Sequence, residues 1–176
     1  AFDLAGPADD AQLRLRMAED RMEGNIAISF RREPSYFAGC RVQGESTQVM
    51  KCVETATGRI VGLGSRSTSH AWVDGVARRT GYLADLRGAP DVRGGTLLAR
   101  GFALLRTLHD ADPVPFYTTV IYEGNAPALR SLVGGRAGLP RFHDRGLVLT
   151  PALHLDLPRR AIAVPGVAFG RAASDA

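Results

Sequence analysis

The residues best able to do chemistry lie between positions 82 and 128. Arg93-Gly94-Gly95 sets a cation beside two residues without a Cβ, where a strand pattern gives way to a helical one. A helix N-terminus offers unpaired N–H groups and the positive end of the helix dipole, and glycines let phosphate oxygens come close. Arg93 adds a full charge there. No Gly-Lys-Ser/Thr follows and the spacing is not GxGxxG, so neither common nucleotide loop is present, and a plain strand–turn–helix accounts for the glycines as well. Asp85, near the end of the preceding strand, is of a type that can accept a proton. Tyr122, ending a later strand, is of the type that returns one. Each also serves as an ordinary structural residue. Phe30, Tyr36 and Phe37, with Arg31, Arg32 and Glu33 among them, suit either an aromatic pocket of mixed charge or a stretch of core. His70, His109, His143 and His154 share no ligand spacing, which predicts surface histidines and no metal site. No nucleophile elbow is present.

Elements must hold these groups in place. The pattern predicts a short strand over 2–8 and a helix over 11–22. A second helical or irregular stretch, interrupted by Pro34, follows over 28–39. Strands follow over 48–55 and 59–67 as a hairpin, then an irregular extension over 71–76 and a third strand over 80–86. Leu97, Leu98, Phe102, Leu105 and Leu108 share one helical face. Thr118, Thr119, Val120 and Ile121 predict a buried strand over 116–122. Asn125 then caps a short helix over 126–133, with Pro127 in its first turn. A last strand is expected over 146–155. The chain reads as one domain over 1–157 and a weakly patterned tail over 158–176.

That order, with ADLRGAPDVRGG at its centre and NAPALRSLVGGRAGLP downstream, resembles the GNAT superfamily of acyl-CoA-dependent N-acyltransferases. Arg93 matches the first position of the family's Arg/Gln-x-x-Gly-x-Gly/Ala turn, and Asn125 with Ala128 matches its Asn-x-x-Ala signature. The resemblance implies an α/β (α+β) fold with a mixed, mostly antiparallel sheet flanked by helices. It implies acetyl-CoA or another acyl-CoA as cofactor, held by Leu86, Arg87 and Gly88, by Arg93, Gly94, Gly95, Thr96, Leu97 and Leu98, and by Asn125 and Ala128. It also implies that the strands around Leu86 and Val120 are parallel neighbours that splay, and that Asp85 and Tyr122 serve as base and acid. The acceptor would be a small-molecule or protein amine bound near Phe30, Tyr36 and Phe37. Three positions depart from the pattern: Thr96 and Leu98 stand at the turn's small-residue positions, and Leu132 stands where many members carry a Tyr. These departures support a second reading, a GNAT-fold module that binds acyl-CoA or a protein partner without turnover.

Composition narrows the classes. At 176 residues with 45% hydrophobic content, the chain suits a single globular domain, and it has no apolar run of membrane-spanning length. The net charge of +4 hints at nucleic acid, but Lys51 is the only lysine and the arginines are scattered, so no nucleic-acid partner is expected. Cys40 and Cys52 have no metal spacing and suit two reduced thiols, with a disulfide left open. The first ten residues lack a signal-peptide core, and a cytoplasmic location is expected. A homodimer is left open.

Overall fold

The computed structural model describes residues 1–20, 29–92, 96–133, 139–150 and 165–166. The strands are β1 (Phe2–Leu4), β2 (Ser46–Val53), β3 (Ile60–Val73), β4 (Val76–Gly88) and β5 (Tyr117–Thr118). The helices are α1 (Asp10–Glu19), α2 (Tyr36–Cys40), α3 (Leu97–Ala111) and α4 (Ala126–Leu132). The strands form one sheet in the order β1-β2-β3-β4-β5. Every pairing is antiparallel except β4 with β5, which is parallel. This is the mixed, mostly antiparallel sheet with flanking helices that the sequence predicts.

Each face of the sheet has its own core. Leu13 and Met17 of α1 and Tyr36 and Cys40 of α2 pack on Val49, Ile60 and Leu63. On the other face Cys52, Val61 and Ala89 meet Phe2, Val92 and Leu97 at the start of α3. The two cysteines are therefore buried free thiols in separate cores. Buried polar residues also run along β3: Ser65, Arg66, Ser67 and Thr68 are each at most 2% exposed, so partners on both faces must satisfy them.

Three expected elements differ from those observed. The irregular extension over 71–76 is the turn of a long β3–β4 hairpin. Asp74 (φ 51°) and Gly75 (φ 76°) both take the left-handed conformation of a two-residue hairpin turn, and the exposed Trp72 stands beside that tip. The buried strand over 116–122 shrinks to Tyr117–Thr118, because among the described residues β4 is its one neighbour and pairs with it only at Gly81 and Tyr82. Val120 is 67% exposed.

The chain divides into two units, Ala1–Asp144 and Arg145–Ala176. In the second, residues 146–150 form no strand, unlike the last strand expected over 146–155. Residues 151–155 of that expected strand lie outside the described residues, as does the tail over 158–176 apart from 165–166. Among the described residues no helix is long and apolar enough to cross a membrane.

Candidate active site

A bulge in β4 builds the centre of the site. The β3–β4 register slips between Leu63↔Arg87 and Ser65↔Ala84, so β4 carries one extra residue there. Asp85 sits in that bulge at φ 57°. Short polar side chains are the non-glycine residues that best tolerate this conformation. The Asp85 side chain is 10% exposed, and its Oδ2 accepts from Arg32 Nη2 at 2.5 Å, from the Tyr36 hydroxyl at 2.9 Å and from Ser65 Oγ at 3.5 Å. Burial, together with the adjacent carboxylate, pushes the Tyr36 phenol far above its ordinary range. Burial raises the Cys40 thiol as well.

The helices supply the partners. Asp10, in the first turn of α1, accepts at Oδ1 from Ser35 Oγ (2.8 Å) and from the Tyr36 amide (2.9 Å), so one carboxylate joins α1 to the start of α2. The Ser35 hydroxyl foremost holds the Asp10 carboxyl below its ordinary value. Ser35 Oγ in turn accepts from the Ala38 amide at 3.3 Å, capping α2. Arg32 lies with its guanidinium 4.9 Å from the Tyr36 ring centroid and reaches toward Cys40 Sγ at 4.0 Å. Beside it opens a cleft of about 340 Å³ bordered by Phe30, Arg31, Arg32, Glu33 and Gln43. Glu33 is neutralised by Arg14. The Phe30 ring is half exposed and lies 5.9 Å beneath the Arg87 guanidinium.

Asp85, Tyr36, Phe30 and Arg87 thus come together, with Phe37 edge-on to Tyr36 at 5.8 Å on the core side. Tyr36 is wholly buried, so it backs the cleft and does not border it. Leu86 is half exposed, and Gly88 pairs with Gly62 at the end of β4. Arg93, Gly94 and Gly95 lie outside the described residues. Thr96 is exposed at the head of α3, Leu97 packs on the Cys52 cluster, and Leu98 is half-buried. Asn125 Oδ1 accepts from the Ala128 amide at 3.2 Å, so this pair caps α4. Tyr122 lies in the turn before it, its carbonyl accepting from the Asn125 amide at 2.9 Å. Leu132 is buried.

Two contacts lay beyond sequence reasoning, which placed Arg32 only in the region of the aromatic pocket. Arg32 is 53 positions from its partner Asp85, beyond any local pattern. His109, expected at the surface, bonds through Nδ1 to the Tyr117 hydroxyl at 3.0 Å, because α3 carries it over β5. Among the described residues no group of three or more His, Cys, Asp or Glu could hold a metal ion.

No protein-family model and no curated protein sequence matches the chain. Solved structures do resemble it. An acetyltransferase from Trypanosoma brucei superposes with a TM-score of 0.59 at 18% identity, covering 85% of this chain and 98% of its own. An aminoglycoside antibiotic 6'-N-acetyltransferase from Acinetobacter haemolyticus gives 0.58 at 11% identity, covering 89% and 99%. A transcriptional regulator from Bacillus halodurans gives 0.57 at 12% identity, covering 85% and 98%. The likeness is one of fold, and the fold is that of the GNAT acetyltransferases.

Proposed function

We propose that this chain is an acyl-CoA-dependent N-acyltransferase that transfers an acetyl or other acyl group to an amine. The observation that carries this reading is the parting of β4 from β5 beside Asp85. Beyond Tyr82 the two strands no longer pair, while β4 continues its pairing with β3. Residues 83–87 therefore present one edge of strand backbone with no ladder partner from β5. Such an edge suits an elongated ligand carrying amide groups, and the arm of coenzyme A is one.

In this reading Leu86, Arg87 and Gly88 bind that arm through their backbone. The start of α3, with Thr96, Leu97 and Leu98 and with Arg93, Gly94 and Gly95, takes the phosphates, and Asn125 and Ala128 flank it. Bound acyl-CoA supplies an acyl group activated as a thioester. The cleft beside Phe30 and Arg32 orients the acceptor amine. Asp85 accepts its proton at Oδ1, since the three hydrogen bonds it receives all fall on Oδ2. Tyr122 donates a proton to the departing thiolate.

A second reading has its own support. Leu132 is in the core where many family members carry an acid, and the Asn125 oxygen is engaged as a cap. Both suit a module that binds without turnover.

The test is a thermal melt of the whole chain with and without acetyl-CoA, followed by thiol release across a panel of amines. Ligand at a hundredfold over its Kd adds about 2.7 kcal/mol, a rise of several degrees. A rise with amine-dependent thiol release supports the enzyme. A rise without release supports the binding module, and no rise removes the acyl-CoA reading and leaves only a module that binds a protein partner.

A further inference from the structure

The parting of β4 from β5 is the feature on which the acyl-CoA reading depends, and a buried arginine stands at its root. Arg66 of β3 is 2% exposed. Its Nε donates to the Tyr117 hydroxyl at 2.8 Å and its Nη1 to Gln48 Oε1 at 2.7 Å. Nη1 also faces Asp112 Oδ2 at 3.3 Å, and Nη2 donates to the Asp112 carbonyl. One guanidinium thereby ties together β2, β3, the residue after α3 and the first residue of β5.

Tyr117 is gripped from every side. His109 of α3 bonds the same hydroxyl, and the Arg66 guanidinium lies 5.6 Å from its ring centroid. Below the ring is Gly81: a Cβ there would stand 2.2 Å from the ring carbon Cδ1. Gly81 is also where the β4–β5 ladder begins, its amide donating to the Phe116 carbonyl at 3.1 Å. From β4 itself, Arg79 pairs with Asp112 and donates to Thr68 Oγ1 at 3.0 Å. The ladder ends one residue later, at Tyr82↔Thr118. A sheet that opens after two pairs needs the last paired residues held firmly, since two ladder steps supply few hydrogen bonds of their own.

We propose that Arg66 is a positioning residue, which fixes Tyr117 against Gly81 and so sets where β5 leaves β4 and how wide the gap stands. Planarity and a fork of donors let one guanidinium reach acceptors on Gln48, Asp112 and Tyr117 together, a spread that the compact ammonium of a lysine does not match. The inference rests on the acyl-CoA reading only for its functional consequence: the gap admits the arm of the cofactor, while the phosphates are held elsewhere, at the start of α3.

Two variants test it, Arg66→Gln and the milder Tyr117→Phe, which keeps the ring on Gly81 and folds if the first does not. Hydrogen exchange is read first, without ligand. Both variants should speed exchange of the Gly81 amide and of peptides covering 114–120, leaving the β2–β3 ladder protected. Unchanged exchange in β5, or a uniform rise throughout the sheet, overturns the proposal. Calorimetry then compares acetyl-CoA with adenosine 3',5'-bisphosphate, which lacks the arm. Loss of one or two hydrogen bonds to a charged group predicts about tenfold or more weaker acetyl-CoA binding with nucleotide binding unchanged, and Arg66→Lys should rescue little of it. Equal losses for both ligands overturn the positioning role. A parent chain that binds neither ligand refutes the acyl-CoA reading, and the exchange result still decides the clamp.

Discussion

Asp85 holds a left-handed backbone conformation and receives three hydrogen bonds on one oxygen, and in the proposed function the other oxygen takes the proton. Replacing it with Asn preserves the shape and tolerates the conformation but removes the charge. Asp85→Asn should lower amine-dependent thiol release by about 10²–10⁴-fold, while the acetyl-CoA-induced rise in melting temperature persists. It should also lower stability by about 1–3 kcal/mol, because Arg32 loses its counter-charge. Unchanged release would remove Asp85 from the base role. Its neighbours make a second prediction. The raised values of Tyr36 and Cys40 mean that the folded chain keeps protons that the unfolded chain gives up. Stability from this source is intact below the ordinary thiol and phenol values. It falls as pH climbs above about 9 for Cys40 and about 10 for Tyr36. Urea melts at successive pH values should show this alkaline loss, and Tyr36→Phe should flatten the part above pH ~10. The place of Asp85 near the end of a strand was legible in the sequence, but its bulge and its partners were not. Arg66 was not, since a single arginine in the run Ser65 to Thr68 looks like a solvent-facing strand until both faces are seen to be covered.

At the scale of elements, the parallel β4–β5 contact depends on a missing side chain. Gly81→Ala would put a methyl carbon 2.2 Å from the Tyr117 ring and 3.0 Å from Val114, both of which must move. The variant should cost about 1–3 kcal/mol, and circular dichroism melts would register it. Gly64→Ala in β3 serves as the control: the nearest atom to its new Cβ is 3.7 Å away, so little steric loss is expected. If the two variants melt alike, close approach is not what Gly81 supplies. The sequence shows β2, α3 and α4 well because their patterns are local: alternation, a single apolar face, and an Asn cap with Pro in the first turn. The length of β5 is not local. Its β-branched run predicts seven residues, and the number that pair is decided by where β4 turns away. The β3–β4 turn carries the Asp-Gly pair that favours such hairpins, and the tip is longer than expected because the strands on either side outrun their neighbours in the sheet.

For the whole molecule, mixed sheet, helices on both faces and parallel pair are legible from element order, whereas the contacts that define the site join residues tens of positions apart. One feature of the hairpin has a practical side. Trp72 is the only tryptophan in the chain, and it stands 79% exposed next to the Asp74-Gly75 tip, away from both cores. Its indole is already bathed in water in the native state. Intrinsic tryptophan emission will therefore start red-shifted and change little as the cores melt, and it will stay silent when a ligand enters beside Asp85. Denaturation curves taken at that wavelength would understate cooperativity. Backbone dichroism or tyrosine absorbance, which sample the buried Tyr36 and the clamped Tyr117, are the signals that follow folding here.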